Sequence, residues 1–346
     1  MTPSWDLAVI GAGPAGSTLA RLVARAGARV ILIEREALPR YKPCGGGVTA
    51  KAWPNLPPEA AGAIRWRVAA ADLHFRGRHA DMRSRGPELA LVMRDEFDGV
   101  LVKAAVSAGA TLREGTRVTA LQDGADGVEV GFTDGRGVRA RYAALAAGSL
   151  GARLFPGRAP RFIPAVEAEL VGDGRMAAVS GDFSAAAAGY AWTFPKRDIL
   201  SVGVASWARR PGGLPAALDG YIAAAGWSAL PVRIRRGHPI PVGGSLGADD
   251  LVRGRILRIG DAGGFADPIF GEGIHYAVKS GTLAAPAVLA GDLSAYARAA
   301  ESDLLARFRA LAGLRHVLYG GMGAWVAAAR RWPGVGAAAL TWALGR

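Results

Sequence analysis

The run Gly11-Ala-Gly-Pro-Ala-Gly16 constrains this chain more than any other stretch. The residues before it, Asp6-Leu-Ala-Val-Ile10, read as a short apolar strand. Residues 15–26 after it have the spacing of a helix that packs on a sheet. A second apolar strand, Arg29-Val-Ile-Leu-Ile33, ends on Glu34. Together these make a complete βαβ unit. Gly11 permits the tight turn from strand to helix. Gly13 omits the Cβ that would block a pyrophosphate, and Gly16 lets the helix lie close on the strand. The helix N-terminus offers free N–H groups and partial positive charge to phosphates. Glu34 stands where an acidic side chain accepts from a ribose hydroxyl. The fold class that follows is α/β, with a Rossmann-type domain built to bind a dinucleotide.

The chain has 346 residues, half of them apolar, which suffices for two domains or one with a large insertion. Its net charge is +13, but only five of the 42 basic residues are lysine (42, 51, 103, 196 and 279). No basic run is interleaved with aromatics, so an acidic substrate or an anionic membrane surface ranks above nucleic acid. Cys44 is the single cysteine, which excludes an internal disulfide and a cysteine zinc cluster. The five histidines form no metal-ligand constellation, and no metal is expected. No stretch reaches the ~18 apolar residues of a spanning helix. The first strand starts at Asp6 and leaves no room for a signal peptide. The expected location is cytoplasmic, at most peripheral at the inner face of the membrane.

Along the chain, residues 35–49 read as a loop, because Pro39, Pro43 and Gly45-Gly46-Gly47 break regular structure. Strand candidates lie within 64–83 and at 89–93, and a helix is predicted over 94–106. Residues 110–120 are predicted as one strand, and Asp134-Gly135 as the turn of a hairpin. From Phe162 onward short β runs follow at 165–171, 177–183, 189–194 and 200–206, then a helix at 214–225. That pattern reads as an antiparallel sheet inserted in the nucleotide domain. The chain returns with a strand at 255–259 and a helix at 273–289. The expected division is 1–70, 85–155 and 250–290 for the nucleotide-binding domain. Residues 71–84 and 156–249 form an antiparallel β substrate domain, and 291–346 a helical C-terminal region.

Three further stretches carry chemistry. In Lys42-Pro-Cys-Gly-Gly-Gly47, three glycines let the backbone approach something flat or charged. Cys44 is either a buried small hydrophobe or a neighbour of the ligand, where its size matters. In Gly260-Asp261 through Gly271-Glu-Gly273-Ile274, a strand ends on a carboxylate suited to a ribitol hydroxyl. The helix that opens after Gly271 and Gly273 points its N-terminus where a flavin gains negative charge on reduction. In Tyr190-Ala-Trp-Thr-Phe-Pro-Lys196, period two puts Tyr190, Trp192 and Phe194 on one face, as a sheet core or as a flat apolar wall. Arg94, after an apolar strand, is placed to meet a pyrophosphate or to be a solvated surface side chain. In the tail, Leu304, Phe308, Leu311, Leu314 and Leu318 recur at helical spacing among arginines, with Trp325, Trp332 and Trp342 beyond. That is an amphipathic helix packed on the fold or an interfacial segment.

These motifs, spanning residues 6 to about 290, resemble the geranylgeranyl reductase family of flavoproteins, within the p-hydroxybenzoate hydroxylase-like FAD superfamily. The resemblance implies FAD as cofactor. Gly11, Gly13, Gly16, Glu34, Arg94 and Asp261 would bind its adenosine and phosphate half, with Ala15 and Arg35 also cofactor-binding. Cys44, Gly45 and Gly46 would line the flavin, with Gly271, Gly273 and Ile274 at its ring. Cys44, Tyr190 and Trp192 are the implied catalytic residues, with Phe194 in the wall of a prenyl tunnel. The implied activity is saturation of carbon–carbon double bonds in a geranylgeranyl or other polyprenyl group on a lipid, quinone or chlorophyll precursor. Reduced flavin gives the hydride, and a ferredoxin-like protein or NADPH the electrons. Related hydroxylases carry Asp-Gly after the third strand, linked to nicotinamide nucleotide binding, where this chain reads Ala146-Ala147-Gly148. Flavin halogenases carry Trp-x-Trp-x-Ile-Pro where this chain has Tyr190, Trp192, Phe194 and Pro195. A flavin monooxygenase or halogenase is the alternative reading, and a non-catalytic FAD-binding protein of the membrane surface the second.

Overall fold

The computed structural model describes residues 4–155, 157–208 and 212–345. Strand Trp5–Ile10 lies inside a mostly parallel sheet, between Val30–Ile33 and Gly137–Leu145. Thr111–Arg113 extends the sheet past the first neighbour and Ile256–Arg258 past the second. Eight strands belong to it, counting the hairpin Val118–Gly124 and Gly127–Phe132 and the short Val252–Arg253. Every residue of Val30–Ile33 is buried, as expected of a strand covered on both faces. Helices Pro14–Arg25 and Ile274–Ala290 pack together over one face, where Leu7, Val9, Leu19, Leu32 and Leu257 share a core. The chain thus leaves this sheet after Leu145 and rejoins it beside that same strand at Ile256.

The excursion supplies four strands of a six-stranded sheet, in the order Val232–Val242, Arg161–Gly174, Gly189–Ser206 and Ala178–Asp182, and the earlier Ala70–Phe75 and Arg78–Arg83 complete it. A small sheet of Gly47–Val48, Leu89–Val92 and Ile64–Val68 joins the two regions. Gly47–Val48 is a short strand inside the stretch expected to be all loop.

Three elements differ from the sequence-based expectation. Residues 110–120 are two strands, broken by a turn in which Gly115 has φ +63°. Residues 189–206 are one strand of 18 residues, not two. Its first part pairs with Ala178–Asp182 and its second with Arg161–Gly174. The change of partner falls at Pro195-Lys196-Arg197, where a proline's missing N–H costs no ladder bond. Strand Val232–Val242 was not anticipated, because Arg233, Arg235, Arg236, Pro239 and Pro241 obscure its pattern. It is an edge strand, where charges and prolines are tolerated and prevent further pairing.

The C-terminal region is helical throughout, with Leu293–Ala300, Ala306–Gly320, Met322–Arg331 and Pro333–Gly345. The predicted apolar stripe divides. Leu304, Phe308 and Leu311 are buried, Leu318 is part-buried, and Leu314 is exposed. Met322 and Val326 then cover Ala80 and Phe183, and Leu340 and Leu344 cover Met82 and Leu89. These last helices therefore close over the second sheet, which is antiparallel as expected except where Ala178–Asp182 pairs in parallel with Ala70–Phe75. Among the described residues, no helix is long and apolar enough to cross a membrane.

Candidate active site

At the first turn, two glycines are demanded by the protein's own backbone. Gly11 has φ +106° and its Cβ would overlap the Ala146 carbonyl, while a Cβ on Gly16 would overlap the Gly11 carbonyl. Gly13 differs. The nearest atoms to its missing Cβ are guanidinium nitrogens of Arg40 at 3.8 Å and Arg94 at 4.0 Å. The turn therefore opens beside two cations, a donor set matched to phosphate. Glu34 is buried; its Oε2 accepts the Ala12 N–H at 3.0 Å and pairs with Arg40 at 3.2 Å. Arg94 is also buried, not solvated, and forks onto Asp98 at 2.9 and 2.8 Å. Burial opposes its charge, but Asp98 and then Cys44 hold the guanidinium above its ordinary pKa. Ala15 packs beneath Gly260, and Arg35 is half-exposed and pairs with Glu36 at 3.1 Å. Of these predicted residues, Arg94 lines the central cavity, and Gly11, Gly13, Ala15, Gly16, Glu34 and Arg35 do not.

That cavity has a volume of ≈ 520 Å³. One end is formed by Pro14, Lys42–Gly47, Arg94, Asp261 and Gly271–Ile274, so the remaining glycine signals converge there. Lys42 Nζ donates to Asp261 Oδ2 at 2.9 Å. Burial works against the Asp261 charge, but Lys42 overcomes it and keeps the carboxyl below its usual range. Gly271 has φ +72°. Gly273 caps helix Ile274–Ala290 without a side-chain bond, which leaves first-turn N–H groups for a ligand.

The three glycines of the Lys42 loop do approach something flat and something charged. A Cβ on Gly45 would stand 2.6 Å from the Phe194 ring, and one on Gly46 3.1 Å from Lys196 Nζ. The loop motif and the aromatic motif are two sides of one contact. Cys44 is held from both flanks. Its N–H donates to Glu167 Oε1 at 2.9 Å, and its carbonyl accepts from Lys196 Nζ at 3.4 Å. Lys196 also donates to Ser201 Oγ at 2.6 Å and is fully buried, which lowers its pKa. Burial pushes the Glu167 carboxyl up to about 7. The sequence reading passed over Glu167, although two acids at Glu167 and Glu169 in an otherwise apolar strand were an available signal.

Towards its other end the cavity is walled by Tyr190, Trp192 and Phe194. Tyr190 and Trp192 have ring centroids 5.7 Å apart. Phe183, Trp207 and Tyr319 extend the cluster, at 5.5 Å from Tyr190, 5.9 Å from Tyr190 and 5.1 Å from Trp207 respectively. They come from separate elements, so no local spacing revealed them. Tyr190 Oη donates to the Phe270 carbonyl and Tyr319 Oη to the Ile269 carbonyl, tying the Asp267–Gly271 turn to the wall. The C-terminal helices complete the lining with Leu311, Leu318, Met322, Leu340 and Leu344. Leu314 (45%) and Trp342 (49%) line the cavity yet are about half exposed, so they mark its mouth.

The glycine turn beside two arginines, with the cavity's anchored acid and free helix N-terminus next to it, suits FAD. Residues 4–153 match the family model of the FAD binding domain. Menaquinone reductase of Mycobacterium tuberculosis is 30% identical over 334 residues, covering 84% of this chain and 78% of that protein. Digeranylgeranylglycerophospholipid reductase 2 of Methanopyrus kandleri is 31% identical over 317 residues, covering 81% and 76%. A solved structure of a geranylgeranyl bacteriochlorophyll reductase-like protein from Thermoplasma acidophilum has the same fold. Its TM-score is 0.81 at 22% identity, covering 92% of this chain and 88% of that one. With that fold, those relatives and a cavity joining a nucleotide turn to an aromatic wall, the chain belongs to the geranylgeranyl reductase family of FAD-dependent flavoproteins.

Proposed function

We propose that this protein is an FAD-dependent reductase that saturates carbon–carbon double bonds of a geranylgeranyl or other polyprenyl group on a lipid, quinone or chlorophyll precursor. The observation that supports it is the continuity of one cavity, polar and glycine-rich at one end and aromatic and aliphatic at the other. A branched hydrocarbon needs an apolar channel, and such a channel keeps water from the reacting carbons. When bound, reduced FAD supplies a hydride. Gly11, Gly13, Gly16, Glu34 and Arg94 would hold its adenosine and phosphates, and Asp261 its ribitol. Cys44, Gly45, Gly46, Gly271, Gly273 and Ile274 would enclose the ring. Tyr190, Trp192 and Phe194 then align the prenyl chain along the wall.

Exposed Val317, Trp332 and Val335, with Arg330 and Arg331, lie on the same C-terminal helical stretch as Leu314 and Trp342 of the mouth. Apolar side chains bordered by arginine suit the surface of an anionic bilayer, from which a lipid would enter. Ala146-Ala147-Gly148, in place of an acid, favours a ferredoxin-like electron donor over NADPH.

The test is mass spectrometry under argon. Dithionite-reduced protein is mixed with geranylgeranyl lipids and with menaquinone in detergent. A gain of two hydrogens per double bond, with return of the oxidised flavin spectrum, is expected. No mass change, with rapid reoxidation once air is admitted, overturns the reading in favour of oxygen chemistry.

A further inference from the structure

Saturating a double bond takes a proton as well as a hydride, and the wall of the cavity holds an acid that no step above employs. Glu167 lies on Arg161–Gly174, is 3% exposed and lines the cavity. Its Oε1 accepts two hydrogen bonds, from the Cys44 N–H at 2.9 Å and from Tyr41 Oη at 3.3 Å. Among the described residues, none donates a hydrogen bond to Oε2, and that oxygen is not walled in. At 3% exposure the carboxylate has lost most of its hydration, which is costly to its charge. A carboxylic acid places its proton on that oxygen and avoids the cost.

The position is as telling as the bonding. The register sets Glu167 opposite Gly203 on one side and Arg236 on the other, so the three share a face. The indole of Trp192 lies over Gly203 and fills the space that a Cβ there would take. Glu167 therefore stands where the Cys44 loop meets the aromatic wall, between the polar and apolar ends of the cavity.

We propose that Glu167 is the general acid of this site, delivering from Oε2 the proton that completes reduction of the double bond. The inference rests on the reductase reading. One alkene carbon forms its new C–H bond with the proton from Glu167, using the π electron pair. The other forms its C–H bond with the hydride that reduced flavin supplies. The alkene gains two electrons, the flavin loses two, and Glu167 is left as a carboxylate. Lys196, buried behind the same loop, stabilises that carboxylate, and solvent restores the proton once the product has left. The charged and titratable groups facing Glu167 are Tyr41 and Cys44 from the loop, Lys196 and Arg236 from the flanking strands, and Glu169 from its own. Burial outweighs them and keeps the carboxyl protonated up to about pH 7.

The test uses Glu167→Gln, which keeps an acceptor for the Cys44 N–H but has no proton to give, and Glu167→Asp, which keeps the acid. In FAD-free protein, infrared spectra across pH should show a protonated-carboxyl band that titrates near 7 and is absent from E167Q. In the reduced holoenzyme, single turnover of a geranylgeranyl lipid should slow by 10²-fold or more in E167Q, with KM unchanged. The wild-type rate should fall about tenfold per pH unit above 7. E167D should recover part of the rate with its acidic limb. A wild type that reduces the lipid, beside an E167Q of equal rate and pH profile, overturns the proposal and leaves the reductase reading standing. A wild type that reduces no prenyl group overturns the reductase reading instead. Absence of the carboxyl band at pH 6 overturns the proposal whether or not either variant is active.

Discussion

The ring of Phe194 occupies the space that a side chain on Gly45 would fill, with its Cδ2 2.6 Å from the missing Cβ. This contact joins the nucleotide region to the antiparallel sheet at the point where the cavity changes from polar to apolar. Gly45→Ala must therefore push the loop or the ring aside. Overpacking of this kind costs ~1–3 kcal/mol. The expected result is a lower Tm and weaker FAD binding. Adding Phe194→Leu should restore much of both, since the two changes share one contact. A double variant no better than Gly45→Ala alone would show that the glycine is needed for another reason.

The buried fork of Arg94 on Asp98 predicts a second effect away from the apolar wall. Asp98 is fully buried and also takes Arg40 Nη1 at 3.0 Å. Asp98→Ala leaves the buried Arg94 and the part-buried Arg40 short of counter-charge. Breaking one partner of such a pair costs ~3–5 kcal/mol. The variant should unfold at a much lower urea concentration than the wild type, and FAD binding should weaken because Arg94 loses its aim at Gly13. An unchanged urea midpoint would mean that Glu34 alone balances both cations.

Stability should carry opposite pH signatures from two carboxyls. Glu167 titrates near 7 in the folded chain, above the ordinary 4.5. The folded state then binds the extra proton, so stability is full below about 4.5 and declines as pH rises through 7. Asp261 is held below its ordinary 3.8, with Lys42 overcoming burial. Its contribution is present above that value and is lost as pH falls through the folded pKa. Urea unfolding of apo protein between pH 5 and 8 should slope downward for wild type and be flatter for Glu167→Gln. Equal slopes in both proteins would place the titration on another group.

The nucleotide half was legible in the sequence because its constraints are local. Gly11, Gly13 and Gly16 sit at fixed offsets between two strands, and each needs only its neighbours to be understood. Tyr190, Trp192 and Phe194 were legible for the same reason, since period two places them on one face. The contact of Gly46 with Lys196 was half legible. The glycines announced a close approach, but its partner lay 150 residues away, identified by nothing in the loop itself. Glu167 and the aromatic partners Phe183, Trp207 and Tyr319 gain their meaning only from strand register and helix packing. Strand Val232–Val242 was hidden because an edge strand follows different rules of composition from an interior one.

The last helix offers the sharpest test of how the cavity is measured out to a substrate. Leu340 and Leu344 line the cavity from Pro333–Gly345, and both are buried against Met82 and Leu89. They stand on the aliphatic side, remote in sequence from every glycine motif. Leu340→Trp should add an indole to that wall and shorten the space for a hydrocarbon chain. A geranylgeranyl substrate should then show a KM raised tenfold or more, with a geranyl analogue little affected, because the short chain does not reach the helix. FAD affinity should change far less than KM, since Leu340 reaches the Gly45–Gly47 loop only through Leu89 and Phe194. The measurement is KM for the two chain lengths side by side. Equal effects on both would mean that the prenyl chain runs away from Leu340, out through the mouth at Trp342.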